Sequence, residues 1–144
     1  MQNSGFEYID HPADIQIHSW GPTIEKSLEP LAVGLFGVMF DPAGFSDALE
    51  KRISVKANDL LSLVYQFLDE WLFHFDAHDF VLKKIAVTKC DLENFEIEAT
   101  GFGEEFDMEK HSDFRRTEVK AITYASMKVE QKADKAEIYV IVDL

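Results

Sequence analysis

Three oxygen-bearing groups sit where two short strands would end, and they are the residues with the clearest capacity for chemistry. Asp14 opens the alternating stretch Asp14-Ile15-Gln16-Ile17-His18-Ser19-Trp20-Gly21. Asp143 and the carboxylate of Leu144 close the apolar stretch Tyr139-Val140-Ile141-Val142-Asp143-Leu144. In the first stretch Ile15, Ile17 and Ser19 fall on one side and Asp14, Gln16, His18 and Trp20 on the other, the period of a half-buried strand. If the two strands lie side by side, three hard oxygen donors converge. With no sulfur among them, the cation they suit is calcium or magnesium, with water completing the shell. His11 and His18 are the nearby imidazoles, available as further ligands or as groups that titrate near neutral pH. Each also has an ordinary reading, since Asp beside Pro commonly bonds its own backbone and a histidine near acids is commonly a hydrogen-bonded side chain.

Other residue types exclude more than they suggest. A phosphate-cradling glycine loop is missing: Gly101-Phe102-Gly103 lacks both the third glycine and a strand-to-helix setting. There is no nucleophile elbow and no zinc-ligand cluster. The single cysteine, Cys90, offers neither an internal disulfide nor a paired zinc motif and reads as a small buried hydrophobe of a reducing compartment. With 14 basic against 27 acidic residues, the net charge of −13 argues against a surface that grips phosphate backbones directly. A basic protein partner or a cation suits it better, and a solubilising surface is the plain alternative.

The elements that must position these groups follow from periodicity. Thr23 caps a first helix from Ile24 to Phe40, with Ile24, Leu28, Leu31, Leu35, Val38 and Met39 at helical spacing. Pro30 inside it predicts a kink, or a start near Glu29; Gly34 and Gly37 predict close packing on a sheet. Lys51 to Lys56 alternates as a one-face strand. Asn58-Asp59 caps a second helix from Leu60 to about Phe75 with a stripe of Leu61, Val64, Leu68, Trp71, Leu72 and Phe75, widened by Leu60, Leu63, Phe67 and Phe73. Asp76 to Asp79 reads as a connector. Strands are then expected near Val81–Lys89, Phe95–Gly101, Glu104–Met108, Thr117–Glu130 and Ala136–Val142, with Lys132 to Lys135 as the last turn. The sum is an α+β domain, two helices on a mixed, largely antiparallel sheet, spanning residues 1–144 as one unit. No apolar run is long enough to span a membrane and no secretory signal opens the chain, so the expected compartment is cytoplasmic or nuclear.

His11-Pro12-Ala13-Asp14 ahead of an alternating strand, Lys120-Ala121-Ile122-Thr123-Tyr124, and the closing hydrophobic-Asp-hydrophobic triplet together resemble the archease family across nearly the whole chain. Gly103-Glu104-Glu105-Phe106-Asp107 followed by Lys110-His111 resembles another family segment. The resemblance implies a small accessory protein, not an enzyme, that activates the metal- and GTP-dependent RNA ligase joining tRNA exon halves, promoting its guanylylation and multiple turnover. It also implies a metal ion held by Asp14, Asp143 and Leu144. Glu104 and Glu105 are then the acids expected to face the partner, with no sequence-specific nucleic-acid binding by this chain. Many archeases continue the lysine-led string with a histidine, whereas Ala125-Ser126-Met127 follows here. Two readings of other classes stand beside this one: a small metal-dependent hydrolase centred on the same carboxylates, recognised by product formation in isolation, and a chaperone-like module, recognised by hydrophobic-dye binding.

Overall fold

In the computed structural model, described for residues 3–11 and 13–144 with the His11 side chain outside that description, the chain builds two antiparallel sheets joined by helices. Strands β1 (Gly5–His11) and β2 (Asp14–Gly21) form a hairpin, and helix α1 (Ile24–Met39) follows. Then come β3 (Leu49–Lys56), α2 (Leu60–His78), β4 (Phe80–Asp91), β5 (Glu96–Glu105) and the single-turn helix α3 (Met108–His111). The short strands β6 (Ala121–Ile122) and β7 (Lys128–Gln131) precede β8 (Ala136–Asp143). One sheet runs β1-β2-β8-β6 with β7 also on β8; the other runs β3-β5-β4.

Helix α1 is the element on which both sheets close, packing on β2, β8 and β1 from one side and on β4 from the other. Leu28, Leu31 and Leu35 are wholly buried, each worth roughly 2 kcal/mol of transfer free energy. The Thr23 hydroxyl accepts from Lys26 N at 3.1 Å, so the helix begins where its cap predicts and not near Glu29. Pro30 lies within the helix without ending it. The Lys26 carbonyl, one turn back, loses its helical donor to that proline, and Gly21 packs against it: an added Cβ there would lie 2.8 Å from the Lys26 oxygen. Gly34 and Gly37 admit the first hairpin as expected, with a Cβ at Gly37 only 2.5 Å from the Tyr8 hydroxyl, which itself donates to Gly34 O at 2.7 Å.

Helix α2 covers the second sheet and reaches toward β6 and β7. It runs to His78, so most of the expected connector is its last turn, and Asp79 at φ 58 ends it in the left-handed region. Its buried face is Leu63, Val64, Phe67, Leu68, Trp71 and Leu72, whereas Leu61 and Phe73, which periodicity alone had placed in or beside the stripe, are exposed.

Several expectations give way. The α+β class holds, but the strands form two sheets rather than one, and every described strand pairing is antiparallel. The two strands expected on either side of Gly101-Phe102-Gly103 are one, β5, because those glycines are places of close approach rather than turns: a Cβ at Gly101 would meet Leu82 at 2.4 Å and Trp71 at 2.7 Å. A third helix occupies the end of the expected Glu104–Met108 strand. The long strand Thr117–Glu130 breaks into β6 and β7, since Ser126 turns the chain at φ 54 and Met127 N bonds back to Tyr124 O.

Candidate metal centre

The β2–β8 register decides how the strand-end carboxylates stand. Asp14 pairs directly with Asp143, followed by Ile15 with Val142 and Gln16 with Ile141. Directly opposed residues project to the same face. Val140 and Val142 point into the core, so Asp143 and Asp14 share the face away from α1. The side chain of Leu144 packs against the core, which pins its main chain next to Asp143. The structure thus brings Asp14, Asp143 and the Leu144 main chain to one corner of the sheet.

Two local devices hold that corner. β8 is central, paired with β2 on one side and β6 on the other; Ala121 opposes Asp143, and Lys120 N donates to the Asp143 carbonyl at 2.8 Å. The Thr123 N–H and hydroxyl both donate to Ile141 O, at 3.1 and 2.9 Å. The lysine-led string therefore straps the last strand from its other edge, a role that strand alternation alone did not reveal. On the β2 side His11 pairs with Asp14, and Ala13 between them has φ 67, a region that an alanine enters only at a cost. Ala13→Gly is expected to raise unfolding stability by about 1 kcal/mol, read by urea denaturation, with no change in cation affinity. Pro12 and the His11 side chain lie outside the described residues.

Among the described residues no three histidine, cysteine, aspartate or glutamate side chains form a ready cage. The donors at the corner are the Asp14 and Asp143 carboxylates with the main-chain oxygen of Leu144, an open, all-oxygen set that fits a hard cation keeping several waters. His18, on the same strand face as Asp14 but four residue pairs further along, is not part of it. Its Nδ1 lies 2.6 Å from Glu7 Oε2, its Nε2 3.1 Å from Glu137 Oε1, and its ring stacks on Tyr139 at 4.3 Å. It ties three strands together.

The two glutamates proposed to face a partner differ. Glu104 turns inward, its side chain 17% exposed: Oε1 accepts from Ser46 N at 2.8 Å and Oε2 takes the Lys110 ammonium. Beside it His111 is fully buried, stacked on Phe45 at 4.2 Å, with Nδ1 accepting from Asp107 N at 2.9 Å. The ring proton is therefore on Nε2, 3.3 Å from Glu104 Oε1, an electrostatic contact rather than an aligned hydrogen bond. The Lys110 hydrogen bond, then that from Ser46 N, hold the Glu104 carboxyl down at about 2. A depressed carboxylate contributes stability that is fully present above its ordinary value of 4.5 and is lost as pH falls from there through about 2. Glu104→Gln should lower stability at pH 7 by about 1–3 kcal/mol and flatten the acid limb of the stability curve in that window, as followed by chemical denaturation. Glu105 is exposed on an open cleft of about 540 Å³ with Leu49, Glu50, Lys51 and His78. Cys90 is half-buried, and desolvation pushes its thiol up to about 11, which makes it inert.

Residues 6–144 match the model of the archease protein family. The chain belongs to the archease family. The archease-like protein of Caenorhabditis briggsae is 43% identical over 145 residues, covering all of this chain and 92% of its own. Protein archease of Ictalurus punctatus is 43% identical over 143 residues, 99% of this chain and 86% of that one. Among solved structures, the solution structure of Methanobacterium thermoautotrophicum protein 1598 superposes with a TM-score of 0.80 at 33% identity, over 97% of this chain and 99% of that one. An archease from Thermotoga maritima, described as a possible chaperone, shares the fold at 23% identity with a TM-score of 0.64, over 94% of each chain. The described archease chain has no helix long and apolar enough to cross a membrane.

Proposed function

We propose that this archease is an accessory activator of the metal- and GTP-dependent tRNA-splicing RNA ligase, promoting its guanylylation and repeated turnover in the cytoplasm or nucleus. The observation that supports it is the facing pair Asp14 and Asp143 at the strapped corner of the sheet, in a chain of this family. Asp14, Asp143 and the Leu144 carboxyl would hold one divalent calcium or magnesium ion. Bound there, the cation would supply positive charge toward phosphate oxygens at the ligase. The protein's own residues do the rest: the β1–β2 hairpin and the Lys120 strap hold the carboxylates in register, and the acidic surface guides docking.

That surface carries a net charge of −13, so association with a basic ligase surface should slow as salt rises, since exposed charges are screened beyond roughly 8 Å at physiological ionic strength. With Glu104 engaged internally, the informative charge reversal is Glu105→Lys together with Asp10→Lys, both exposed. Stopped-flow association rates that ignore both salt and these reversals would remove the electrostatic part of the proposal.

The deciding experiment is exon ligation with ligase held well below substrate, with and without this protein. Many products per ligase only in its presence is the expected result; one product per ligase in both arms rejects activation. Nucleotide or RNA cleavage by the isolated protein would instead favour a hydrolase. A chaperone-like role has exposed Leu49 and Phe73 in its favour, 47% and 53% accessible, and hydrophobic-dye binding by the folded protein tests it.

A further inference from the structure

We propose that His74 and His78 form a second cation site at the C-terminal end of α2, one that takes borderline transition ions such as Zn²⁺, Ni²⁺ or Cu²⁺. It is chemically separate from the all-oxygen corner at Asp14 and Asp143. The two histidines are four residues apart on one helix, so their side chains stand one turn above the other on the same stripe. Their ring centroids are 5.8 Å apart with planes 33° from parallel. Metal–imidazole bonds are about 2.0–2.1 Å, so ordinary side-chain rotation brings one nitrogen from each ring onto a common ion.

Three further observations favour occupancy. Among the described residues, the buried Nδ1 of His74 has no hydrogen-bond partner. Desolvation holds the His74 ring below the ordinary imidazole range, which keeps a lone pair available at neutral pH. His78 lies on the cleft that also carries Glu50, Asp79 and Glu105, with Lys51 as the one cation among its described residues, and that net acidic lining, with the negative end of the α2 dipole, favours cations. The ordinary alternative is that the rings are packing surfaces for Phe73, whose ring lies 5.6 Å from His74 and 6.1 Å from His78. Phe73 is itself 53% exposed, so that contact covers no core; His74 also lies against the buried Trp71, ring centroids 6.2 Å apart, a contact that, among the described residues, His78 does not share.

The two histidines supply two of the ion's ligands. No third acidic, cysteine or histidine side chain among the described residues completes a cage, so water or a group from a partner fills the remaining positions. The pair lacks the Glu next to the first histidine that metalloproteases use as a base; Phe75 stands there. It is a binding site and not a hydrolytic one.

The test uses the full chain without a histidine tag. Calorimetric titration with Zn²⁺ and with Ni²⁺, and retention on immobilised Ni²⁺, are compared for the wild type, His74→Gln, His78→Gln, Asp14→Asn and His11→Gln. Expected are one ion per chain, binding and retention lost in both His74→Gln and His78→Gln, and both kept in Asp14→Asn and His11→Gln and in excess Ca²⁺. Circular dichroism checks that the substituted chains fold. Undiminished binding in either helix variant, or loss in Asp14→Asn or His11→Gln, overturns the site. Because the oxygen corner is read separately by Ca²⁺ titration of Asp14→Asn, failure here leaves the ligase proposal standing, and the reverse also holds.

Discussion

Asp143→Asn and Asp14→Asn are each expected to weaken calcium or magnesium binding by roughly ten- to more than a hundredfold and to abolish ligase activation, with the fold intact. The magnitude follows from losing one charged ligand, comparable to a charged hydrogen bond of about 1.5–3 kcal/mol. The fold should survive because the substitution is nearly isosteric and neither side chain belongs to the core. The main chain of Asp143 keeps its pairing with Ala121 and its bond from Lys120 N. A residue added after Leu144 should act in the same direction, since it turns a carboxylate into a neutral peptide carbonyl. Calcium calorimetry beside the ligation assay measures all three. Wild-type affinity in both aspartate variants would remove the metal centre, whereas lost activation at wild-type affinity would move these residues from the cation to the partner.

The largest expected loss of stability is at Gly103. A Cβ there would lie 1.8 Å from the Val81 carbonyl oxygen and 2.8 Å from its carbon. Both are main-chain atoms, so no rotamer change relieves the clash. β5 is the middle strand of its sheet, with Leu49 of β3 on one side of Gly103 and Leu82 of β4 on the other, next to the register shift between Leu82 and Lys84. Moving β4 away breaks that ladder; moving β5 breaks the one with β3. Gly103→Ala should cost about 3 kcal/mol or more, measured by chemical denaturation. It should also loosen the neighbouring Glu104 network, with Glu104 shifting back toward ordinary carboxylate behaviour. A change under about 0.5 kcal/mol, typical of an unconstrained surface position, would show that the two strands separate freely.

Where periodicity and burial coincide, the elements were legible. Thr23 and Asp59 cap the helices they were expected to cap, Ile53 and Val55 are the buried side of β3, and residues 132–135 close the last hairpin. Illegible positions are those at which a distant group overrules the local pattern. Gly101 and Gly103 carry the composition of a turn but serve as contact points for Trp71, Leu82 and the Val81 carbonyl. Leu61 and Phe73 fit the apolar period of α2 yet face solvent, because the sheet beneath covers only the stripe from Leu63 to Leu72. Glu104 reads as an exposed acid, and only the folding of Lys110, Ser46 and His111 around it turns it inward.

The same division runs through the metal corner. The sequence by itself determined that carboxylates end two strands, that β2 alternates with Asp14 on the side away from Ile15 and Ile17, and that the chain resembles an archease. It held no information on register, because β2 and β8 lie at opposite ends of the chain and their register depends on both packing an apolar face against α1. A slip of one residue would flip every β8 side chain to the other face. The buried Ile138, Val140 and Val142 forbid that slip, and so the hydrophobic core, acting through the period-two alternation of a strand, is what sets Asp143 opposite Asp14.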